Sequence, residues 1–263
     1  MGRVTAGDDV ARIEAALDVA AEALEPFTPG AIEAQMKSGD DPVTAADLAV
    51  NEALLATLPR EGEGWFSEET ADDAARLEYE RVWIVDPVDG TREFVAGIPE
   101  WCVSIGLVVN GRPVAGGILK PVAGHRIVGS IDDGVTLNGA PAGATPTSHL
   151  RGALVLASRS EVKRGESGPF LTTPISIRNM GSVAYKLGCV AAGLADATWT
   201  LVPKNEWDVA AGAALVAAGG GAVFGPDGEP IEFNQKDPLL PGYVAVAGGL
   251  EVPVRKFLVD YRD

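Results

Sequence analysis

The sequence has few cysteines and histidines, and it has no long apolar run. Its two cysteines, Cys102 and Cys189, lie far apart and inside apolar segments, so they form no metal-binding pair and are predicted to be buried, reduced thiols. The two histidines, His125 and His149, have no recognisable catalytic setting, and we expect both in surface loops. No stretch approaches the roughly 18 uncharged apolar residues that a membrane helix needs, which argues against a membrane protein.

Basic residues are also scarce. The 263 residues include 21 Lys and Arg against 37 Asp and Glu, which gives a formal net charge of −16. Binding of a long nucleic acid depends on basic patches, so the composition argues against a nucleic-acid partner. A small anionic metabolite is compatible with this charge if metal ions neutralise it locally. The N-terminal segment lacks a basic stretch followed by an apolar one, and this predicts a cytoplasmic protein.

The first half of the chain is predicted to be α+β. Helical spacing of apolar residues predicts a helix over 8–24, and Thr44 is expected to cap a second helix that carries Asp47 in its first turn. Residues 82–85 are predicted to form a buried strand that ends at Asp86. Two further apolar runs around Asn110-Gly111 are typical of a β-hairpin.

The second half has a different pattern, in which strands such as 153–157 alternate with helices such as 183–194. We place the boundary near Ala142. The predicted organisation is an α+β subdomain over 1–141 followed by an α/β subdomain over 142–263.

The segment Asp86-Pro-Val-Asp89-Gly-Thr91 is the most informative one for function. Two carboxylates three residues apart, with a proline between them, can both point into one pocket, and hard cations such as Mg²⁺ prefer such oxygen ligands. Gly90 permits close approach of the backbone, and the N–H groups of Gly90 and Thr91 could open a helix and receive a phosphate. Asp-Pro and Asp-Gly are also ordinary turn formers, so this segment alone leaves a structural explanation open.

Two other acidic segments point to the same chemistry. Glu68 and Glu69 follow the apolar pair Trp65-Phe66, which is typical of a strand that ends in carboxylates, although a solvated acidic turn would look the same. Asp208 lies near the start of an alanine-rich helix, where a helix-capping role would also explain it.

Together, the order and spacing of Asp47, Glu68-Glu69, the Asp86 to Thr91 segment and Trp207-Asp208 resemble the inositol monophosphatase superfamily. The resemblance covers about residues 41–241. It implies a layered αβαβα fold with the site between the two halves, and a Mg²⁺-dependent phosphatase that acts on a small phosphorylated metabolite.

The resemblance also implies roles for individual residues. The implied metal ligands are Glu68, Asp86, the carbonyl of Val88, Asp89 and Asp208. Thr91 and Asp47, together with Glu68, are implied to position or deprotonate the attacking water. Two or three Mg²⁺ ions are expected, with Mn²⁺ as a substitute and with Li⁺ and Ca²⁺ as inhibitors. Relatives are commonly homodimers.

Substrate choice depends on weaker features. Arg92-Glu93-Phe94 resembles the CysQ-type 3'(2'),5'-bisphosphate nucleotidases, as do Ser158-Arg159-Ser160 and Gly181-Ser182 followed by Lys186. The position seven residues before Asp208 is Leu201, where inositol monophosphatases have a glutamate that holds the inositol ring. The implied substrate-binding residues are Asp89, Gly90, Thr91, Arg92, Arg159, Gly181, Ser182, Lys186 and Asp208.

The leading hypothesis is therefore hydrolysis of adenosine 3',5'-bisphosphate to AMP and phosphate. An inositol or other sugar-phosphate monoesterase is the first alternative, because fold analogy is a weak guide to specificity. A non-catalytic protein of the same fold is the second, and it would predict damaged metal ligands. Arg92, Arg159 and Lys186 could also be plain surface charges.

Overall fold

Two β-sheets with helices between them form the framework of the chain. The computed structural model describes residues 6–36, 42–165 and 173–262. The α-helices in these ranges are α1 (Ala6–Leu24), α2 (Ala45–Thr57), α3 (Thr91–Val95), α4 (Arg159–Lys163), α5 (Val183–Ala191), α6 (Glu206–Ala218) and α7 (Glu251–Arg262).

The strands are short, and most lie in two sheets. The strands of the first half are β1 (Ala34–Met36), β2 (Pro42–Thr44), β3 (Gly64–Ser67), β4 (Arg81–Asp89), β5 (Cys102–Val109), β6 (Arg112–Lys120), β7 (His125–Ser130), β8 (Gly134–Leu137) and β9 (Ala140–Ala142). Those of the second half are β10 (Leu154–Ser158), β11 (Ser176–Met180), β12 (Ala197–Thr200), β13 (Lys204–Asn205), β14 (Gly221–Phe224), β15 (Leu239–Leu240) and β16 (Tyr243–Ala247).

The first sheet has seven strands in the order β3-β4-β5-β6-β7-β8-β9. The predicted hairpin is confirmed: β5 and β6 are antiparallel, and Asn110 and Gly111 between them have φ values of 50° and 76°, as a tight hairpin turn requires. The other strand pairs of this sheet are also antiparallel except at one edge, where β3 runs parallel to β4. Because parallel strands end at the same edge of a sheet, this pairing places Glu68 beside the end of β4.

The second sheet has the strand order β11-β10-β12-β16-β14. Its first three strands are parallel to one another, and β16 runs antiparallel to both β12 and β14. Parallel strands joined by helices are what the α/β pattern of this half predicts.

Three apolar clusters show how the layers stack. Helices α1 and α2 pack on the outer face of the first sheet, where Leu17 and Val50 meet Trp83. Helices α5 and α6 lie between the two sheets, so that Leu187 and Leu215 share one cluster with residues of both sheets. Helix α7 covers the outer face of the second sheet. The predicted αβαβα layering is therefore confirmed.

Glycines allow α6 to lie very close to the first sheet. A Cβ atom at Gly116 would lie 2.5 Å from the carbonyl oxygen of Ala211, and one at Gly106 would lie 2.8 Å from the nitrogen of the same residue. Such distances are shorter than van der Waals contact, so only glycine fits between this strand pair and the helix. The close packing sets the position of the first turn of α6, which carries Asp208.

The helices over 8–24 and after Thr44 are confirmed. Thr44 caps α2, since its side chain accepts the N–H of Ala46 at 3.2 Å while Asp47 accepts the N–H of Thr44 at 2.8 Å. The buried strand at 82–85 is also confirmed, but the expectation that it ends at Asp86 is wrong. Strand β4 continues to Asp89, which pairs with Cys102 after an irregularity in register, because Pro87 lacks an N–H for regular pairing.

The predictions for the two cysteines and for one of the two histidines are confirmed. Cys102 and Cys189 are free and buried, as predicted. His149 is exposed in a loop, as predicted. For His125 the expectation is wrong: it opens β7, and its Nδ1 atom lies 2.9 Å from the hydroxyl of Tyr185, so the ring is half-buried against α5. Within the described ranges, none of the helices combines the length and the apolar character that a membrane span requires.

The first sheet ends at Ala142, where the sequence predicts the boundary between subdomains. Helices α5 and α6 come from the second half of the chain but pack on the first sheet as well as on the second. The division into 1–141 and 142–263 stays a prediction. Residues 1–5, which bear on the predicted absence of a secretion signal, lie outside the described residues.

Candidate active site

A cavity of about 490 Å³ lies where β4 ends and where α3, α5 and α6 begin. It brings together every predicted metal ligand and every predicted substrate-binding residue. These are Glu68, Asp86, Val88, Asp89, Gly90, Thr91, Arg92, Arg159, Gly181, Ser182, Lys186 and Asp208. The residues come from distant parts of the chain, and their individual roles stay predictions.

Three carboxylates form the centre of the site. One oxygen atom from each of Asp86, Asp89 and Asp208 lies within 4.8 Å of the other two. Asp86 and Asp89 are buried at the end of β4, and Asp208 is half-buried in the first turn of α6. Glu68 follows β3, and its backbone N–H donates to the carbonyl of Val85 at 3.2 Å, which keeps it beside the neighbouring strand.

The electrostatics of this cluster favour a bound cation. Burial raises the pKa of Asp86 well above its ordinary value, and the nearby carboxylates of Glu68, Asp89 and Asp208 raise it further. Burial also raises the pKa of Asp208, and the carboxylates of Asp89 and Glu68 raise it further. A positive ion among these groups would relieve both effects. The donors are carboxylate oxygens, which suit a hard divalent cation, so the residues present fit a metal site.

Asp89 is held by the start of α5. Its Oδ2 atom accepts hydrogen bonds of 2.6 Å from the hydroxyl of Ser182 and of 2.6 Å from the N–H of Ala184. Burial raises the pKa of Asp89, and these two hydrogen bonds and the charge of Lys186 act against that rise. Ser182 has a φ of 61°, an uncommon conformation for a residue other than glycine. The strained residue thus joins α5 to a predicted metal ligand.

Asp47 does not line the cavity, but it reaches the site through Thr91. The hydroxyl of Thr91 lies 2.8 Å from Oδ1 of Asp47 and 3.0 Å from the carbonyl oxygen of Val88, both of which can accept its proton. The other oxygen of Asp47 accepts hydrogen bonds from the N–H and the hydroxyl of Thr44. Asp47 therefore caps α2 and also contacts Thr91, so the structural and the functional explanations of this residue both apply.

Asp208 likewise belongs to two structural features, a helix cap and the acidic cluster. It is the third residue of α6, and its Oδ2 atom accepts the N–H of Asn205 at 3.1 Å. The capping explanation considered for Asp208 is thus correct as far as it goes. The same carboxylate also belongs to the acidic cluster, because the first turn of α6 points at the end of β4.

The basic residues of the cavity differ in burial. Lys186 has a relative exposure of only 2%, and its Nζ atom lies 3.5 Å from the carbonyl oxygen of Met180. Burial lowers the pKa of Lys186, and the charge of Asp89 opposes this. The surface-charge explanation is therefore wrong for Lys186. Arg92 and Arg159 are exposed, which agrees with the surface-charge explanation, although both line the cavity.

Sequence reasoning missed four charged residues of the site. Lys163, Lys204 and Glu93 line the cavity, and Glu100 lies behind it. Glu100 accepts hydrogen bonds from Nε and Nη2 of Arg159, and it also accepts the N–H of Gly181 at 2.7 Å. Glu93 directly follows Arg92 in a quoted motif, which is a local signal, whereas nothing near Glu100 or Lys204 in the sequence indicates where they fold.

Leu201 lies outside the cavity. Its side chain packs with the apolar cluster beneath α7, on the far face of the second sheet. Leu201 therefore cannot supply the polar contact that a ring-binding glutamate would make.

Comparison with known proteins defines the class to which this fold and this acidic cavity belong. Residues 5–253 match the model of the Inositol monophosphatase family. The chain therefore belongs to the inositol monophosphatase family, and it is a phosphatase.

Individual relatives carry two kinds of name. The chain is 38% identical over 205 residues to a 3'-phosphoadenosine 5'-phosphate phosphatase of Mycobacterium tuberculosis, a match that covers 75% of this chain and 74% of the relative. It is 32% identical over 244 residues to inositol monophosphatase 3 of Solanum lycopersicum, covering 81% and 91%. The crystal structure of CysQ from Bacteroides thetaiotaomicron superposes with a TM-score of 0.73 and 28% identity, covering 92% of this chain and 98% of that one.

Proposed function

We propose that this phosphatase removes the 3'-phosphate of adenosine 3',5'-bisphosphate, giving AMP and phosphate. The observation that carries the proposal is the set of basic side chains around the acidic cluster. Five basic residues line one cavity in a chain with a net charge of −16: Arg92, Arg159, Lys163, Lys186 and Lys204. Such a concentration suits a substrate with a second phosphate, because the metal site already neutralises the phosphate that reacts.

Two of these cations are available to a ligand. Among the described residues, neither Lys163 nor Lys204 has a carboxylate within salt-bridge distance. Lys186 is buried, and a buried ammonium is stabilised by an anion placed beside it. The relative from M. tuberculosis, named as a phosphatase of a bisphosphorylated nucleotide, supports the same substrate class.

The proposed chemistry is direct hydrolysis by water. Mg²⁺ held by Glu68, Asp86, Asp89, Asp208 and the carbonyl of Val88 would offset phosphate charge and increase the acidity of a nearby water. Thr91 and Asp47 supply the proton acceptor on the protein side. The Thr91 hydroxyl donates its hydrogen bond to Asp47, so the Thr91 oxygen can accept a hydrogen bond from water. Hydrolysis gives the hydroxyl of water to phosphorus and a proton to the departing 3'-oxygen.

A sugar-phosphate or inositol monophosphatase is the second candidate, and the relative from S. lycopersicum favours it. Against it stands Leu201, which lies outside the cavity and offers no polar contact to a sugar ring. A non-catalytic role is disfavoured because the expected carboxylates are present and lie together. Use of Mn²⁺, inhibition by Li⁺ and Ca²⁺, homodimer formation and a cytoplasmic location remain part of the proposal.

Phosphate release measured with Mg²⁺ tests the substrate. Adenosine 3',5'-bisphosphate, adenosine 3'-monophosphate, inositol 1-phosphate and fructose 1,6-bisphosphate are compared by kcat/KM at one pH and ionic strength. We expect the bisphosphate nucleotide to be hydrolysed with the highest kcat/KM. A higher kcat/KM for inositol 1-phosphate would contradict the proposed substrate while leaving the phosphatase class intact.

A further inference from the structure

The side chain of Glu100 links three parts of the cavity wall. It lies in the loop between α3 and β5, and its carboxylate contacts both Arg159 at the start of α4 and the N–H of Gly181 before α5. The side chain of Glu100 is 17% exposed and that of Arg159 is 44% exposed. Arg159 and Gly181 line the cavity and Glu100 does not, so Glu100 contacts the site through these two neighbours.

The pairing fixes one edge of the Arg159 guanidinium. Both contacts to Glu100 come from the Nε and Nη2 atoms, one to each carboxylate oxygen. A guanidinium has a second edge, formed by Nη1 and Nη2, which matches two phosphate oxygens. A carboxylate bound at the first edge therefore orients the arginine and leaves the second edge for a phosphate.

The contact with Gly181 explains why this carboxylate is itself held in place. One oxygen of Glu100 accepts the N–H of Gly181. A Cβ atom at Gly181 would lie 2.8 Å from the side chain of Glu93 and 2.9 Å from the carbonyl of Glu100, so this turn packs tightly against the Glu100 loop. The hydrogen bond from Arg159 is the main cause of a lowered Glu100 pKa, which keeps the carboxylate charged.

We propose that Glu100 is a positioning residue that orients Arg159 toward the non-reacting phosphate of the substrate and so sets the preference for bisphosphates. This inference rests on the proposed function. It assigns selectivity to an ion pair between a loop and a helix start, outside the metal site. The 5'-phosphate is the group that the oriented arginine would bind.

A double-mutant cycle with two substrates tests the inference. Glu100→Gln, Arg159→Ala and the double variant are compared with the wild type on adenosine 3',5'-bisphosphate and on adenosine 3'-monophosphate, which lacks only the second phosphate. Arg159→Ala should raise KM for the bisphosphate by roughly tenfold or more, because it removes a charged hydrogen-bond donor pair. Glu100→Gln should raise it by about three- to tenfold, the usual size of coupling between residues in contact.

Three further results are expected if Glu100 acts through Arg159. The Glu100→Gln effect disappears in the Arg159→Ala background, kcat changes less than KM, and KM for the monophosphate is the same in all four proteins. Glu251→Gln is the matched control, since it breaks another exposed Arg–Glu pair, with Arg255 in α7, away from the cavity. The melting temperature of each variant shows whether it folds.

The outcomes separate this inference from the proposed function. A wild type that does not favour the bisphosphate contradicts the proposed function and the Glu100 assignment with it. A wild type that favours it, with variant effects that add or that are equal on both substrates, contradicts only the Glu100 assignment. A lower KM in Glu100→Gln would also overturn it, because Glu100 would then compete with the phosphate for Arg159.

Discussion

The hydroxyl of Thr91 lies 2.8 Å from Asp47, which is 44 positions earlier in the chain and belongs to a different helix. The contact joins the cavity to a carboxylate that does not line it. Thr44 holds the other oxygen of Asp47 with two hydrogen bonds, so the carboxylate has little freedom to turn. This arrangement suits a residue that keeps the Thr91 hydroxyl in one orientation.

Thr91→Ala should lower kcat by about 10²-fold or more, the usual contribution of a group that assists proton transfer. KM should change far less, because the proposed task of Thr91 concerns water rather than substrate binding. Thr91→Ser keeps the hydroxyl and is the control, expected to retain most of the activity. A change confined to KM in Thr91→Ala would contradict the assignment.

Asp86→Asn should abolish phosphate release and weaken Mg²⁺ binding while the protein still folds, because the change removes a ligand charge but preserves side-chain size. Isothermal titration with Mg²⁺ and the Mg²⁺-induced rise in melting temperature measure the binding directly. Asp132→Asn, which changes an exposed aspartate outside the cavity, should match the wild type in both. Wild-type turnover by Asp86→Asn would refute the metal site.

The pKa of Glu63 predicts how the stability of the fold depends on pH. Its side chain is 6% exposed, and although burial alone would raise its pKa, hydrogen bonds from Arg12 and Trp83 lower it to about 2. A lowered pKa in the folded state contributes stability above the unfolded value of 4.5, and this contribution is lost as the pH falls toward 2. Urea unfolding of the wild type and of Glu63→Gln at pH 7 and at pH 3 should show this loss as a smaller difference in stability between the two proteins at pH 3.

Glu63→Gln should lower the free energy of unfolding at pH 7 by about 3–5 kcal/mol, because it removes the close charged partner of the buried Arg12 and leaves it the longer 3.6 Å contact with Asp9. Asp8→Asn is the matched control: it removes the partner of Arg60 in an exposed pair, where the expected loss is about 0–1 kcal/mol. Equal effects of the two substitutions would contradict the proposed importance of burial.

Gly116→Ala should destabilise the protein by about 1–3 kcal/mol, because the added methyl group would collide with the backbone of α6. It should also lower activity, since a displaced α6 moves Asp208. Urea unfolding and phosphate release measure the two effects. Gly7→Ala, at a helix position with nothing within 4 Å of the added atom, is the control and should be neutral or slightly stabilising.

Sequence patterns predicted the acidic cluster better than the rest of the cavity. Asp86, Asp89 and Asp208 stand in local patterns, next to an apolar strand or at a helix start. Lys204 and Glu100 have no such local pattern. The contact between Glu100 and Arg159 joins residues 59 positions apart, so only the packed fold brings them together.

The errors in the fold have similar causes. The apolar run of β4 stops before Asp86, but pairing with β5 carries the strand on to Asp89. His125 is polar and follows a glycine, which indicates a turn, yet the ladder to β6 begins at that residue. In both cases pairing with the neighbouring strand decides where the strand begins or ends, and the sequence of one strand alone does not show this pairing.

Helices α5 and α6 are shared by both sheets, and this has a consequence for how the chain acquires its structure. Neither sheet can cover its inner face before the helices of the second half have been made, so contacts distant in sequence are needed from the outset. We expect the molecule to unfold as one cooperative unit. A truncated version that stops after the last strand of the first sheet should expose a broad apolar surface and aggregate.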